Sequence, residues 1–364
     1  MTVSEALLNC ISAALDGREC ALTLAPDDWT ALLRLAGEQK LLPLVYAAVR
    51  GTPGFAAAPE AVRAAARRQT MREAAAQTVH TEAFLRLYQA LRAEGLAPVV
   101  VKGIVCRALY PQPELRPSSD EDLYLTAAEM PHFHAVLLRA GFVLTEPERD
   151  YRSAHEARYV HPDTGLVVEG HWALFPTEYA VYAALNVQLP DLMQRAQDWL
   201  LHAFKHFISS GVGVRQLCDI ALWMRRFGAQ IDWQRVRAAL RATHSEGFAA
   251  AVIDAGVHWF GLECAAAHIP PDWETLESAA LLADALSGGV YGSADSTRRH
   301  SCTITIHAAD RVYRGGTGRA SLCAALFPGR EVMAGWYPYV ARCPALLPAA
   351  WAQRIWRYLR TRGK

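Results

Sequence analysis

At 364 residues the chain is longer than a single hydrophobic core usually grows, so its length predicts more than one domain. Half of it is apolar (52%) and a fifth charged (20%), which excludes a disordered chain; alanine dominates with leucine and arginine, a helix-favouring mixture. A formal net charge of +1 supplies no global field for nucleic acid, which argues against a grip on long duplexes.

From Glu5 to about Leu96 the pattern is helical. Leu7, Leu8, Ile11, Ala14 and Leu15 recur at helical spacing, as do Trp29, Leu32, Leu33 and Leu35 before a break at Leu41-Leu42-Pro43-Leu44. A second break at Thr52-Pro53-Gly54 precedes long Ala/Arg-rich helical patterns over 56–93. The period then changes. Pro98 to Val101 reads as a buried strand, Ile104 to Tyr110 as a short helix, and the proline-rich stretch to Ser119 as a loop. Asp120 to Leu125 reads as a strand and Ala127 to Ala140 as a helix closed by Gly141. Phe142 to Leu144, Ala157 to His161 and Leu166 to Trp172 read as strands, the last two joined by a Pro162-Asp163-Thr164-Gly165 turn. Helices return at Asp198 to Ser209, Val214 to Phe227 and Trp233 to Thr243. The Gly/Ser/Thr/Arg-rich stretch 287–318 reads as an irregular excursion, followed by a basic helix over 349–360.

The expected fold is therefore α+β: a small mixed sheet embedded between helical segments. The boundaries fall at an N-terminal helical segment (1–95), an α/β core (96–175), a helical domain (176–286), and the excursion with its tail helix (287–364). Eight scattered cysteines without a C-x-x-C pair fit reduced thiols in a cytoplasmic protein. The acidic start Met1 to Glu5 is no signal peptide, and no apolar run reaches the roughly 18 residues of a spanning helix, so no integral membrane association is expected.

The most informative stretch is Val99-Val100-Val101-Lys102-Gly103 with Arg116-Pro117-Ser118-Ser119-Asp120-Glu121-Asp122-Leu123. On a strand, side chains two apart share a face at roughly 7 Å, so Asp120 and Asp122 point together and Glu121 points away. Two hard oxygen ligands at that spacing suit Mg²⁺, although an isolated D-x-D is usually a solvated strand end. Three neighbours strengthen it. Lys102-Gly103 lies at a strand-to-helix turn that can approach phosphate, Arg116 lies four residues before Asp120, and Glu169 sits in an otherwise apolar strand.

These residues resemble a bacterial family catalogued as uncharacterised nucleotidyltransferase, within the DNA polymerase β-like superfamily. The shared elements are Lys102-Gly103, Tyr110-Pro111, Arg116-Pro117, Asp120-Glu121-Asp122-Leu123 and Glu169 before His171-Trp172. Further likeness lies in Leu200 to His206, Arg215 to Asp219, Ile231-Asp232-Trp233, Leu326-Phe327-Pro328 and Trp336-Tyr337-Pro338. The resemblance implies a polymerase β-like sheet presenting Asp120, Asp122 and Glu169 to two Mg²⁺ ions, and a helix carrying Lys205 and His206 over the cleft. There are two departures. The superfamily usually has Gly-Ser or Gly-Gly at Lys102-Gly103, and Asp at the position of Glu169.

Other features have plainer alternatives. His202 and His206 share a helix face without a third ligand, which is the pattern of a packed pair more than of zinc. Arg215 and Asp219, four apart, read first as an ion pair on one helix and second as a triphosphate contact. Ser118 and Ser119 lack a triad partner in order, and the Trp351 to Arg360 helix reads as packing on the body. The leading functional expectation is nucleotidyl transfer from an NTP to an acceptor hydroxyl or phosphate, the acceptor being a small molecule or peptide. Asp120, Asp122 and Glu169 would serve catalysis and metal binding; Lys102, Gly103, Arg116, Ser119, Lys205, His206 and Arg215 would contact the nucleotide. The alternatives are phosphoryl or sugar-phosphate transfer on the same fold, and nucleotide binding without turnover.

Overall fold

Local signals set the helices before packing does. In the computed structural model, which describes residues 1–146, 156–173, 200, 203–204, 206–207, 211–273, 276–289, 327, 329–330, 333–334 and 337–362, α1 (Val3–Leu15) opens on a reciprocal cap. Thr2 Oγ1 accepts from the Glu5 amide (3.2 Å) and Glu5 Oε2 accepts from the Thr2 amide (2.7 Å). Proline starts α2 (Pro26–Glu38), α3 (Leu42–Val49, at its second residue) and α4 (Pro53–Ala56), where its missing N–H is harmless. The fifth helix, α5 (Glu60–Ala93), runs 34 residues, about 50 Å at 1.5 Å per residue.

The apolar stripes read from the sequence are buried: Leu7, Leu8, Ile11, Ala14, Leu15, Trp29, Leu32 and Leu33 all enter one core. That core also takes residues from the helices Val214–Phe227, Trp233–Ala242, Glu246–Trp259 and Ala279–Gly288, so remote parts of the chain share it. A polar tie crosses it. The fully buried Gln39 donates through Nε2 to the carbonyls of Ala285 (2.9 Å) and Leu286 (3.1 Å), and accepts from the Val214 amide (3.0 Å). Both ends of its amide are thereby satisfied at zero exposure, which is the condition for keeping such a group inside.

The sheet has five strands in the order β1 (Val99–Val100), β2 (Asp120–Tyr124), β5 (Val167–His171), β4 (Glu156–Val160), β3 (Val143–Leu144). β2 and β5 are parallel and the other pairs antiparallel, giving the mixed sheet expected of an α+β chain. One face, with Leu123, Ala157, Tyr159 and Val168, packs on α5 and on α7 (Met130–Arg139). Gly170 belongs to this face. A Cβ there would lie 2.6 Å from the Phe133 ring, so glycine is what lets α7 sit so close.

The Ile104 to Tyr110 stretch yields one helical turn, α6 (Ile104–Arg107), shorter than expected. Asp232 caps the helix Trp233–Ala242 by accepting from the Arg235 amide (3.0 Å). Of the expected Asp198–Ser209 helix, Leu200, Ala203, Phe204, His206 and Phe207 are described and helical, while His202 and Lys205 lie outside the described residues. The excursion from 290 onward also lies outside them, and the tail helix spans Leu347–Arg362. No helix among the described residues is long and apolar enough to cross a membrane.

Candidate active site

The period of two along β2 puts Asp120 and Asp122 on the face away from α7, and the parallel register sets Asp122 against Glu169. The antiparallel register of β4 then brings Arg158 opposite Glu169 and Glu156 opposite His171. Ligand atoms of Asp122, Glu169 and His171 all lie within 4.8 Å of one another. His171 Nε2 is 3.5 Å from Asp122 Oδ1 and 3.7 Å from Glu169 Oε2, while Nδ1 is 3.3 Å from Glu156 Oε2. In the sequence His171 stands only as half of a His-Trp marker. Its signal was the spacing of two from Glu169, which places both on one face.

Lys102 leaves β1 and reaches back over the same face, its Nζ 2.8 Å from Asp122 Oδ2 and 3.2 Å from Asp120 Oδ2. The ammonium therefore lies on the carboxylate pair itself. Burial would raise the Asp122 carboxyl, but the Lys102 charge and the His171 ring hold it well below the usual carboxylate range. Glu169 goes the other way: burial, then the charges of Asp122 and Asp120, push it up to about 8, and Lys102 opposes them only in part. Like charges this close do not all ionise together.

A pH dependence follows. Because the folded value of Glu169, about 8, exceeds its ordinary 4.5, the stability it contributes is fully present below about 4.5 and is lost as pH rises through about 8. A divalent cation at these carboxylates must displace the Glu169 proton, so it binds tighter over the same rise. Thermal melts between about pH 6 and 9 should show the metal-free midpoint falling and the gap to the Mg²⁺-loaded midpoint widening. Glu169→Gln should flatten both trends; a gap that narrows with pH would refute the assignment.

The Lys102-Gly103 turn meets protein where a phosphate was expected. The Ile104 amide donates to Glu121 Oε2 (2.6 Å), Arg107 pairs with the other oxygen, and a Cβ on Gly103 would lie 2.0 Å from Glu121 Oε2. Gly103, at φ +75°, is thus demanded by the close approach of the chain's own carboxylate. This corrects the expectation that the N-terminus of α6 is open to a nucleotide.

Arg116 and Arg215 have partners within the chain. Arg116 is buried, and its Nε (3.0 Å) and Nη2 donate to Asp219, which also accepts from Tyr110 Oη (2.8 Å). Asp219 therefore pairs across 103 residues and not with Arg215 on its own helix; Arg215 Nη1 donates to the Pro117 carbonyl. A bidentate grip on phosphate by Arg116 is excluded in this state, since two of its three nitrogens face Asp219. Ser119 Oγ donates to Asp120 Oδ1 (3.2 Å) and Ser118 Oγ to the Asp120 carbonyl (3.1 Å), so these serines orient the aspartate.

What remains is a small, mainly apolar-walled cavity of about 40 Å³ beside Lys102, to which Arg116, His206, Arg215, Gln216 and Asp219 also contribute. Arg116 Nη1, Arg215 Nε and Gln216 Nε2 are buried there without a hydrogen-bond partner. All three are N–H groups, and an orphaned donor inside a protein calls for an acceptor. The space suits a few waters or one small anionic group.

A protein-family model described as an uncharacterised nucleotidyltransferase matches residues 25–261. The chain belongs to this family. The match contains every residue of the sheet and of the site just described, from Lys102 to Asp219. Comparison with curated proteins and with solved structures gives no match. As a nucleotidyltransferase the protein is an enzyme with a nucleotide substrate, and its Asp/Glu/His cluster is compatible with a divalent metal.

Proposed function

We propose that this nucleotidyltransferase is Mg²⁺-dependent and moves a nucleotidyl group from an NTP to an acceptor hydroxyl or phosphate, in a cytoplasmic tailoring reaction on a small molecule or peptide. The carrying observation is the convergence of Asp120, Asp122 and Glu169 on one face of β2 and β5, with buried N–H atoms of Arg116, Arg215 and Gln216 that lack acceptors. The residues fit a divalent cation: Asp122 Oδ1 is a buried acceptor without a hydrogen bond, His171 Nε2 standing 3.5 Å away, and carboxylate oxygens are the ligands Mg²⁺ prefers. Asp120, Asp122 and Glu169 would hold it, with His171 orienting Asp122 and Glu169 rather than ligating a hard ion. Mg²⁺, as two ions, would supply charge neutralisation at the α-phosphate and the departing pyrophosphate.

The chain's own groups do the rest. The acceptor oxygen forms a bond to the α-phosphorus as the bond to pyrophosphate breaks. Glu169, once ionised, takes the proton of an acceptor hydroxyl. Arg116 Nη1, Arg215 Nε and Gln216 Nε2, with Lys102 and His206 beside them, receive phosphate oxygens in the small cavity. Lys205 and Ser119 complete the phosphate contacts in this reading.

Lys102 must then change partners, from carboxylates to phosphate, as metal and nucleotide enter. Lys102→Ala should weaken Mg·NTP binding by about 1.5–3 kcal/mol, yet strengthen binding of Mg²⁺ alone because the carboxylates lose their internal counter-ion. Isothermal titration with a non-hydrolysable NTP reads both; unchanged affinities would remove Lys102 from the phosphate role. The same ammonium supports a second reading, in which it stays on Asp120 and Asp122 and the nucleotide binds without turnover. Labelled NTPs incubated with Mg²⁺ and candidate acceptors decide between them: pyrophosphate release with label on the acceptor supports transfer, and binding without release supports the second reading.

A further inference from the structure

Away from the carboxylates, the N-terminal part of α5 faces α3 and α4 across an open groove of about 660 Å³. Its lining residues Glu60, Arg63, Ala64, Arg67, Arg68 and Met71 recur every three or four positions and so form one stripe of the helix. A stripe at that spacing, turned toward neighbouring helices, ordinarily carries apolar residues. Here it carries three arginines, and Arg50 at the end of α3 adds a fourth from the opposite wall.

The charge is concentrated and unanswered. Four arginines against Glu60 give the lining a formal charge of +3, while the whole chain carries +1. Arg63 Nε donates to the Ala58 carbonyl (3.1 Å), and no described carboxylate pairs with Arg50, Arg63, Arg67 or Arg68. Mutual repulsion among them costs the fold stability, and an anionic occupant relieves it.

The rings in the groove argue against nucleic acid. Phe55 is 3% exposed, closed edge-on by Trp29 (5.2 Å) and Tyr46 (5.9 Å). Tyr46 alone keeps exposed ring surface among the lining residues, too little to stack successive bases. The volume is that of a ligand cleft, and clustered guanidinium forks recognise acidic motifs.

We propose that this groove docks an acidic peptide segment, with two or three carboxylates set along an extended backbone and its aliphatic stems on Met71 and Ala64. The groove and the active site share helix α5. Six residues beyond Met71 on the same helix, about 9 Å along its axis, Gln77 Nε2 donates to the Ser118 carbonyl (2.9 Å) beside Asp120. An extended peptide gains about 3.3 Å per residue, so a few more residues span that axial separation. That the peptide is the acceptor rests on the transferase reading; that it docks does not.

Fluorescence anisotropy of a labelled glutamate hexamer on the full chain, without nucleotide, tests the docking. Saturable, salt-sensitive binding is expected, weakened at least roughly tenfold by Arg63→Glu with Arg67→Glu and unchanged by the exposed control Arg92→Glu. Should charge reversal unfold the chain, Arg67→Gln and Arg68→Gln singly, each with an unchanged melting midpoint, must still weaken binding. Absence of saturable binding, equal affinity of variant and wild type, or tighter binding of a thymidylate hexamer would each overturn the proposal. Hexamer binding that persists where no NTP yields pyrophosphate would leave docking intact and remove the transfer reading instead.

Discussion

Asp122→Asn is expected to lower turnover at least about a thousandfold, because several kcal/mol of charge stabilisation depend on that carboxylate and each 1.36 kcal/mol is tenfold in rate. The effect on the metal-free fold is smaller and has a sign that the structure sets. Asp122 is ionised in the folded state, held so by Lys102 and His171 against its burial, and this contributes stability at neutral pH that is lost as pH falls through its depressed value. The amide forfeits that contribution. Lys102 retains Asp120, however, and Glu169 loses a neighbouring charge that opposed its ionisation. A net loss on the order of 1–2 kcal/mol follows, in place of the neutral or favourable change that carboxylate repulsion alone would give. Steady-state rates and metal-free urea titrations measure the two parts. Turnover within tenfold of wild type would remove Asp122 from the chemistry.

Asp219→Ala should cost more stability than any substitution at the carboxylates, about 3–5 kcal/mol, since it strands a buried guanidinium. Arg116 and Asp219 are each at least 95% buried, and Tyr110 Oη loses its acceptor in the same change. Replacing both partners, as Arg116→Met with Asp219→Leu, should recover most of that loss because no charge is left unpaired. Tyr110→Phe should cost less, about 1.5–2 kcal/mol, the low end for a hydrogen bond to a charged group, because Asp219 keeps its Arg116 donors. Urea midpoints across this set check the ordering. A double variant as unstable as Asp219→Ala would mean that the pair is not the source of the effect.

The carboxylate face was legible in part because a strand's period is two: with 120–125 and 166–172 read as strands, Asp120 and Asp122 share a face, while the register that sets Glu169 against Asp122 comes only with the fold. The helical cores were legible for the same reason at a period of 3.6, as Leu7, Ile11 and Leu32 show. Pairing between distant segments carries no such local imprint. Arg116 looks like a phosphate ligand when only its neighbours are visible, and its partner Asp219 stands 103 residues later. Likewise nothing near Gly103 announces that Glu121, 17 residues on from the amide it caps, closes that turn. Lys102 fell between the two cases. Its place at the site followed from the strand-to-turn position, but which anion it faces did not.

The tie between Arg116 and Asp219 has a consequence in time. During synthesis the strand bearing Asp120 and Asp122 leaves the ribosome well before the helix that anchors the loop in front of it. At 5–20 residues per second, the 103 residues separating the partners amount to roughly 5–20 s in which Arg116 has no counter-ion and the loop from Tyr110 to Ser119 is tied only to α5, through Gln77. The nascent sheet can form early from its own short-range pairings. The cavity beside Lys102, by contrast, waits for Arg215, Gln216 and Asp219 of helix Val214–Phe227, so a ribosome stalled before that point presents the carboxylate strands without it.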